Sequence, residues 1–505
     1  MTIPFRRRAA LLLCLSILSG AFFAGCGASA PTPGADPSAV SSLPEGTGEE
    51  SFALPEEDLE NYEFTVYEVG FRTGGYINDF ADSGSGAPVL DRAIRERNAA
   101  VEASLRVRLS AVQKNATSTT GSAQGYGELQ KLRATGDAPY DAAVLPAYDA
   151  AKNAAGGDLT DLLTVSGLNV TSPWWDRRSV DAFTVKGMLF FMTGDFSLDI
   201  FDATAVIAFN KKLANERGVP DLYALAESGK WTIDRWMEAT ALISEDLDGD
   251  SRFTDRDRYG SIVCDDSIYA VVNGAGERCA AVDPASGDLC LTLGTERTAA
   301  AFRQYVEFSR QNCVLRFQQK FNQDGTAVNN SASYHDRTMF PDDQALFLIA
   351  PLGEVSLFRD TDTPYGILPV FKLDEEQESY QANVSPFNAR FLCVPAVQKE
   401  KDLAGRILET IGYFSSQFIP SAYYEKTLTG SKARDGESRP ILELLRVSRA
   451  FDLGLFYQPA DINKQLIYRF RQGDSDWTSV YAAYSEPAAA ALEKIDLAFD
   501  ALKKK

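Results

Sequence analysis

The sequence has one histidine, His335, among its 505 residues. That scarcity excludes HExxH and every other multi-histidine metal centre, because such sites need two or more imidazoles on one cation. Also missing are a GxSxG nucleophile elbow, a Walker loop and a dinucleotide fingerprint, and SGSG at 83–86 is a turn rather than a phosphate cradle. His335 lies beside Asp336 and Arg337, a setting that suits a surface polar residue better than a general base. Paired carboxylates for glycoside cleavage stay open, because 70 acidic residues offer too many pairs. None of the seven cysteines falls in a CxxC pair. Cys264, Cys279, Cys290, Cys313 and Cys393 are odd in number, which argues against a disulfide framework or a zinc site. Cys279 and Cys290 would close a short loop if they were bridged outside the cytoplasm.

Positive charge is also short. Residues 1–25 carry three arginines and no acid, so the remainder has 47 basic against 70 acidic side chains, a net of −23. That balance argues against nucleic acid and against docking on anionic lipid. Past residue 25 no apolar run reaches membrane-spanning length.

What is present begins at the N-terminus. Arg6, Arg7 and Arg8 precede an apolar run from Ala9 to Ala24, too short for a stable transmembrane helix and followed by small residues and Cys26. This pattern resembles the bacterial lipoprotein signal, with Phe23 where that motif usually has leucine. The resemblance implies cleavage before Cys26, acylation of its thiol, and a chain held outside the cytoplasm by lipid alone. Residues 26–57 are rich in Pro, Gly, Ser, Ala and Glu and cannot bury enough surface to order themselves, so they read as a linker.

About 450 residues remain, more than one hydrophobic core holds. YEFTVYEVGF (62–71) alternates and is rich in strand formers, and RTGGY follows it as a loop. PVLDRAIRERNAAVEASLRVRL (88–109) reads as one helix, with Leu90, Ile94, Val101 and Leu105 on its inner face. YDAAVLPA (140–147) is continuously apolar, as a parallel strand covered on both faces would be, and is expected to stop at Tyr148 and Asp149. Strand, helix and strand in alternation give an α/β architecture. Further along, Ala205–Phe209 reads as a strand, and a helix is expected to start at Thr232 with Trp231 and Trp236 as packing anchors.

The order Phe209-Asn210-Lys211, Gly229-Lys230-Trp231-Thr232, DLDGD and Arg258-Tyr259-Gly260 resembles the family 1 extracellular solute-binding proteins, the maltodextrin-binding-like receptors of ABC importers. TPYGILPVFKLDEEQ (363–377) and FLCVPAVQKEKDLAGRILETI (391–411) continue the resemblance, with Phe371 in place of a second proline. It spans residues 60–460 and implies a two-lobed periplasmic-binding-protein-like fold with a ligand cleft between the lobes. The first lobe would hold 58–200 and 390–440, the second 205–388 and 441–505, crossed at Ala203–Phe209 and Asn388–Pro395. It also implies a monomer that makes and breaks no bond, captures a small solute, most often a sugar or oligosaccharide, and hands it to permease subunits in the membrane. A peptide or polyamine receptor, a lipoprotein glycosidase and a purely structural surface lipoprotein are the alternatives.

Expected ligand contacts follow strand ends. Tyr148 and Asp149 stand where the family carries sugar-contacting residues, Arg72 and Tyr76 follow the first strand, and Asp265, Asp266 and Tyr269 follow YGSIVC. Trp174 and Trp175 are adjacent, so one of them is a candidate stacking platform. Carboxylates for hydroxyls and flat rings for C–H faces are what sugar recognition needs.

DLDGDSRFTDRD (246–257) spaces carboxylates as an EF-hand or dockerin loop does, which proposes a structural calcium on Asp246, Asp248, Asp250, the Arg252 carbonyl and Asp257. Ser251 in place of glycine and Asp257 in place of glutamate depart from the EF-hand pattern. The plain alternative is a polar turn with solvated charge.

Overall fold

A computed structural model describes residues 57–70, 79–80, 88–116, 122–316, 338–428 and 438–504. In chain order the strands are β1 (Tyr62–Gly70), β2 (Val107–Asn115), β3 (Ala142–Pro146), β4 (Ala205–Asn210), β5 (Ser244–Glu245), β6 (Arg258–Val263) and β7 (Ala280–Val282). Then follow β8 (Leu289–Leu291), β9 (Val314–Arg316), β10 (Ala345–Pro351), β11 (Tyr365–Pro369), β12 (Ala382–Asn383), β13 (Arg390–Cys393) and β14 (Arg449–Ala450). One sheet has the order β13-β3-β1-β2, the other β11-β4-β10-β6-β5 with β9 joined to β6. Helices flank both, so the architecture is the expected two-lobed α/β one.

In the first lobe β1, β2 and β3 run parallel, and β13 returns antiparallel beside β3, pairing Arg390 with Pro146. β3 is buried along its whole length, as its apolar run requires. Two boundaries differ from the sequence reading. The helix ends at Leu105 rather than running to 109, because Arg106 turns at φ 49° and the β-branched Val107 opens β2. The strand stops at Pro146, so Tyr148 and Asp149 lie in the first turn of the helix Ala147–Gly156 rather than at the strand end. Proline cannot continue a ladder but suits a helix start.

In the second lobe β4 is antiparallel to β10 and β11, and β6 is parallel to β10. Gly260 in β6 is required, since a Cβ there would stand 1.9 Å from the Thr240 carbonyl oxygen. Trp236 packs against Tyr305, Phe308 and Phe371 with ring centroids 5.2–5.6 Å apart, each pair worth about 0.5–1.5 kcal/mol beyond burial.

The first crossing meets the chain just before the second. Thr204, just before β4, bridges Val384, and Ser385 donates its amide to the Ala203 carbonyl at 2.9 Å. β14 lies parallel to β12 at the same place, so a later stretch of chain also braces the passage between lobes. Among the described residues no helix is long and apolar enough to cross a membrane.

Candidate functional site

The carboxyl ends of β3 and β6 face one another across the seam between the lobes. Beyond β3 the helix Ala147–Gly156 presents Tyr148, and beyond β6 Asp266 precedes the helix Ser267–Gly274, which carries Tyr269 in its first turn. Phe387, from the returning crossing, stands between them. Its ring centroid is 6.2 Å from Tyr148 and 6.4 Å from Tyr269, the latter near parallel at 20°. Phe387 and Asp266 are half-buried, while both tyrosines are buried. Burial, with the negative charge of Asp266 nearby, pushes both tyrosine hydroxyls well above their ordinary range, so each is a neutral donor. Tyr269 Oη takes a long contact of 3.4 Å from Asn463 Nδ2.

Tyr148 Oη is the exception. It lies beside Gln458 without reaching hydrogen-bond geometry, and it has no other partner among the described residues. A buried hydroxyl left so costs about 1–3 kcal/mol, which a ligand hydroxyl or a water would recover. Gln458 itself sits at φ 50°, with Ala460 and Asp461 also at positive φ, a strained stretch held between two helices. At the foot of the seam Cys264, Asp266, Tyr269, Ser385 and Pro386 border a cavity of about 30 Å³, the scale of one or two waters.

The other expected contacts divide. Asp149 is fully buried and turned away from the seam: its carboxylate accepts from Ser122 N at 2.8 Å and Ser122 Oγ at 2.7 Å. Asp265 is also buried and pairs with Arg471 Nε at 2.6 Å. Trp174 and Trp175 both enter the core, against expectation for a platform. Trp175 Nε1 donates to Glu409 at 3.0 Å, and Trp174 meets Tyr413 edge-on at 5.5 Å. Both rings cover Gly412, on the helix Lys401–Leu428, where a Cβ would collide with them. Arg72, Tyr76 and Cys26 lie outside the described residues.

In the acidic loop Asp246, Asp248 and Asp250 bring one oxygen each within 4.8 Å of the others. Asp246 also clasps the loop, accepting from Gly249 N and Ser251 N at 2.7 Å each, and Ser251 adopts φ 63° where glycine is usual. Asp257 points elsewhere: it accepts from Leu247 N at 3.0 Å and Thr254 N at 2.6 Å. Arg252 gives its amide to Asp250. Three oxygens are therefore gathered, and the expected fourth carboxylate ties down the loop backbone.

Sequence reasoning missed an ionic network buried under the crossing. Arg390, the first residue of β13, reaches Asp79 Oδ2 at 2.9 Å and Asp199. Glu68 at the end of β1 accepts from Asp79 N at 3.0 Å, and Arg97 donates to the Asp79 carbonyl and to Ser415 Oγ. Burial drives the Glu68 carboxyl up to about 8, against the pull of Arg390 and with the help of Asp79. Three carboxyls share two guanidinium groups, and burial raises all three, Glu68 to about 8 and Asp199 to about 7, against the pull of Arg390. Only Arg97, within a helix read as amphipathic, could have signalled it. Phe387 and Gln458 carried no signal, since a phenylalanine in a crossing and a glutamine between helices are ordinary residues.

No family model and no curated protein matches the sequence. Solved structures match in fold. The chain is similar to the maltose-binding periplasmic protein MalE from Listeria monocytogenes in complex with maltose, at 14% identity and a TM-score of 0.52, over 88% of this chain and 99% of that one. It is similar to UspC of M. tuberculosis at 16% identity and a TM-score of 0.53, over 85% and 100%. It is also similar to an extracellular solute-binding protein family 1 structure from Alicyclobacillus acidocaldarius, at 11% identity and a TM-score of 0.51, over 86% and 99%. At such identities the likeness establishes the two-lobed binding-protein fold.

Proposed function

We propose that this chain is an extracytoplasmic receptor that captures a small solute, most favourably a sugar or oligosaccharide, in the seam between its lobes. In this reading acylated Cys26 and the linker hold a monomer at the membrane, and the closed, loaded form is what ABC permease subunits recognise. No bond is made or broken. The solute supplies differential affinity: it contacts both lobes only when they are together and so stabilises that arrangement.

The observation that carries this is the convergence of Tyr148, Tyr269, Phe387 and Asp266 at facing strand ends, with the Tyr148 hydroxyl left without a partner among the described residues. Half-exposed Phe387 offers a face for sugar C–H groups, Asp266 an acceptor for hydroxyls, and Tyr148 a neutral donor. Support for a sugar also comes from the ligands bound in structures of similar fold, maltose in the Listeria protein and maltotetraose in a cyclo/maltodextrin-binding protein.

Titration calorimetry of residues 57–505 against maltose, maltotetraose and a wider oligosaccharide panel tests the reading, with spermidine and short peptides as comparators. Saturable binding of an oligosaccharide that Asp266→Asn weakens supports it. Binding confined to the polyamine or the peptides, or turnover of a chromogenic glycoside, overturns it.

A further inference from the structure

A second pocket opens on the seam, built from residues other than those of the solute site. It measures about 380 Å³ and takes Arg178 and Asp181 from one lobe, Arg278 and Val282 from the other, and Gln381, Arg449 and Phe451 from the chain around the crossing. In a chain with a formal net charge of −20, three arginines on one pocket are out of proportion.

Two of the three, Arg178 and Arg278, have no carboxylate ion pair among the described residues. Arg449 is 2% exposed; its Nη1 reaches Asp176 at 3.2 Å, its guanidinium carbon stands 4.5 Å from the centroid of the Phe201 ring, and its Nε has no acceptor among the described residues. Arg278 donates to carbonyl oxygens of Asn273 and Glu277 and to Gln381 Oε1 at 2.6 Å, none of them a carboxylate. Arg178 is exposed and has no acidic partner among the described residues. The nearby acid Asp181 is taken by Arg177 at 2.9 Å. Asp452 lies behind Arg278 but is spent on the amides of Cys279, Ala280 and Gly454. A buried guanidinium with an unused donor is costly, and an oxyanion is the group whose geometry satisfies two guanidinium forks together.

We infer that this pocket binds a small organic anion, its carboxylate held by Arg178 and Arg278 with Arg449 behind them, and its carbon frame lying on Phe451 and Leu453. The apolar wall is what favours an organic carboxylate over a bare ion. Because Arg178 and Arg278 approach from different lobes, an occupant also ties the two sides of the seam together.

Calorimetry at low ionic strength, with galacturonate, citrate and inorganic phosphate as separate titrants, tests this on residues 57–505. The expected result is saturable binding of at least one organic carboxylate, weakened about threefold or more by Arg178→Ala and tenfold or more by Arg178→Ala with Arg278→Gln. Arg178 is exposed, so its single variant keeps the fold if the double variant does not. No heat with either carboxylate, phosphate binding alone, or affinities unchanged in Arg178→Ala would overturn the assignment.

Discussion

Arg390 and Asp79 form a buried ion pair at 2.9 Å, directly under the place where the chain returns from the second lobe to the first. The same guanidinium also holds Asp199, from the helix that leads into the outgoing crossing, so one side chain locks both crossings to the floor of the first lobe.

Removing it should therefore be severe. Arg390→Ala leaves two buried carboxylates uncompensated and should cost about 3–5 kcal/mol, the usual penalty for breaking a buried pair. Urea unfolding reads this directly. A loss below about 1 kcal/mol would mean that the network is solvated and does not brace the hinge.

The same network sets a pH dependence. Glu68 titrates near 8 in the folded chain, so the native state keeps a proton that the unfolded chain releases in the ordinary glutamate range. Its contribution to stability is complete below that lower value and is lost as pH rises through the window toward 8. Asp199, raised by burial to about 7 despite Arg390, and Asp195, raised by burial to about 6 beside Arg446, act in the same direction over narrower ranges. Denaturation midpoints between pH 5 and 8.5 should fall as pH rises, and Glu68→Gln, neutral in both states, should flatten that slope. An unchanged slope in the variant would contradict the placement of the proton.

At the seam, stability and affinity should separate. Tyr148→Phe removes a buried hydroxyl that has no partner among the described residues, so the folded state should be unchanged or slightly more stable. Affinity for the captured sugar should drop about tenfold, the worth of one hydrogen bond of about 1.4 kcal/mol. Thermal melts and calorimetry on the same preparation decide this. Equal affinity in both proteins would remove Tyr148 from the site.

The acidic loop is tested by metal alone. Three carboxylate oxygens within 4.8 Å should accept a hard cation, and calcium at about a hundredfold over its dissociation constant should add about 2.7 kcal/mol of stability. Asp248→Asn should abolish the calcium-dependent rise in melting temperature. Melts that coincide in calcium and in EDTA would leave the loop as a solvated turn.

The fold was largely legible because its signals are periodic. β1, β3 and β4 each announce themselves by alternation or by a continuous apolar run, and Trp231 and Trp236 are core residues as their spacing suggested. The site was legible only in part. Tyr148, Asp266 and Tyr269, picked out as residues after strand ends, do come together in the fold. Asp149 and Asp265 sit next to them in sequence yet face inward, since neighbours at a helix start point to different sides and a buried acid must find donors, here Ser122 and Arg471. One of Trp174 and Trp175 is a candidate platform by sequence, yet both are buried; Gly412 and Glu409 make room for one ring after the other and satisfy the indole N–H of Trp175. Those partners are more than 230 residues away in sequence, beyond anything local patterning reports.

Small-angle X-ray scattering of residues 57–505, with and without a saturating oligosaccharide identified by calorimetry, tests capture by lobe closure most directly. A receptor of this kind should become more compact when loaded, and Tyr148→Phe should need more ligand to reach the same end point. Identical scattering curves with the sugar demonstrably bound would contradict closure as the mechanism.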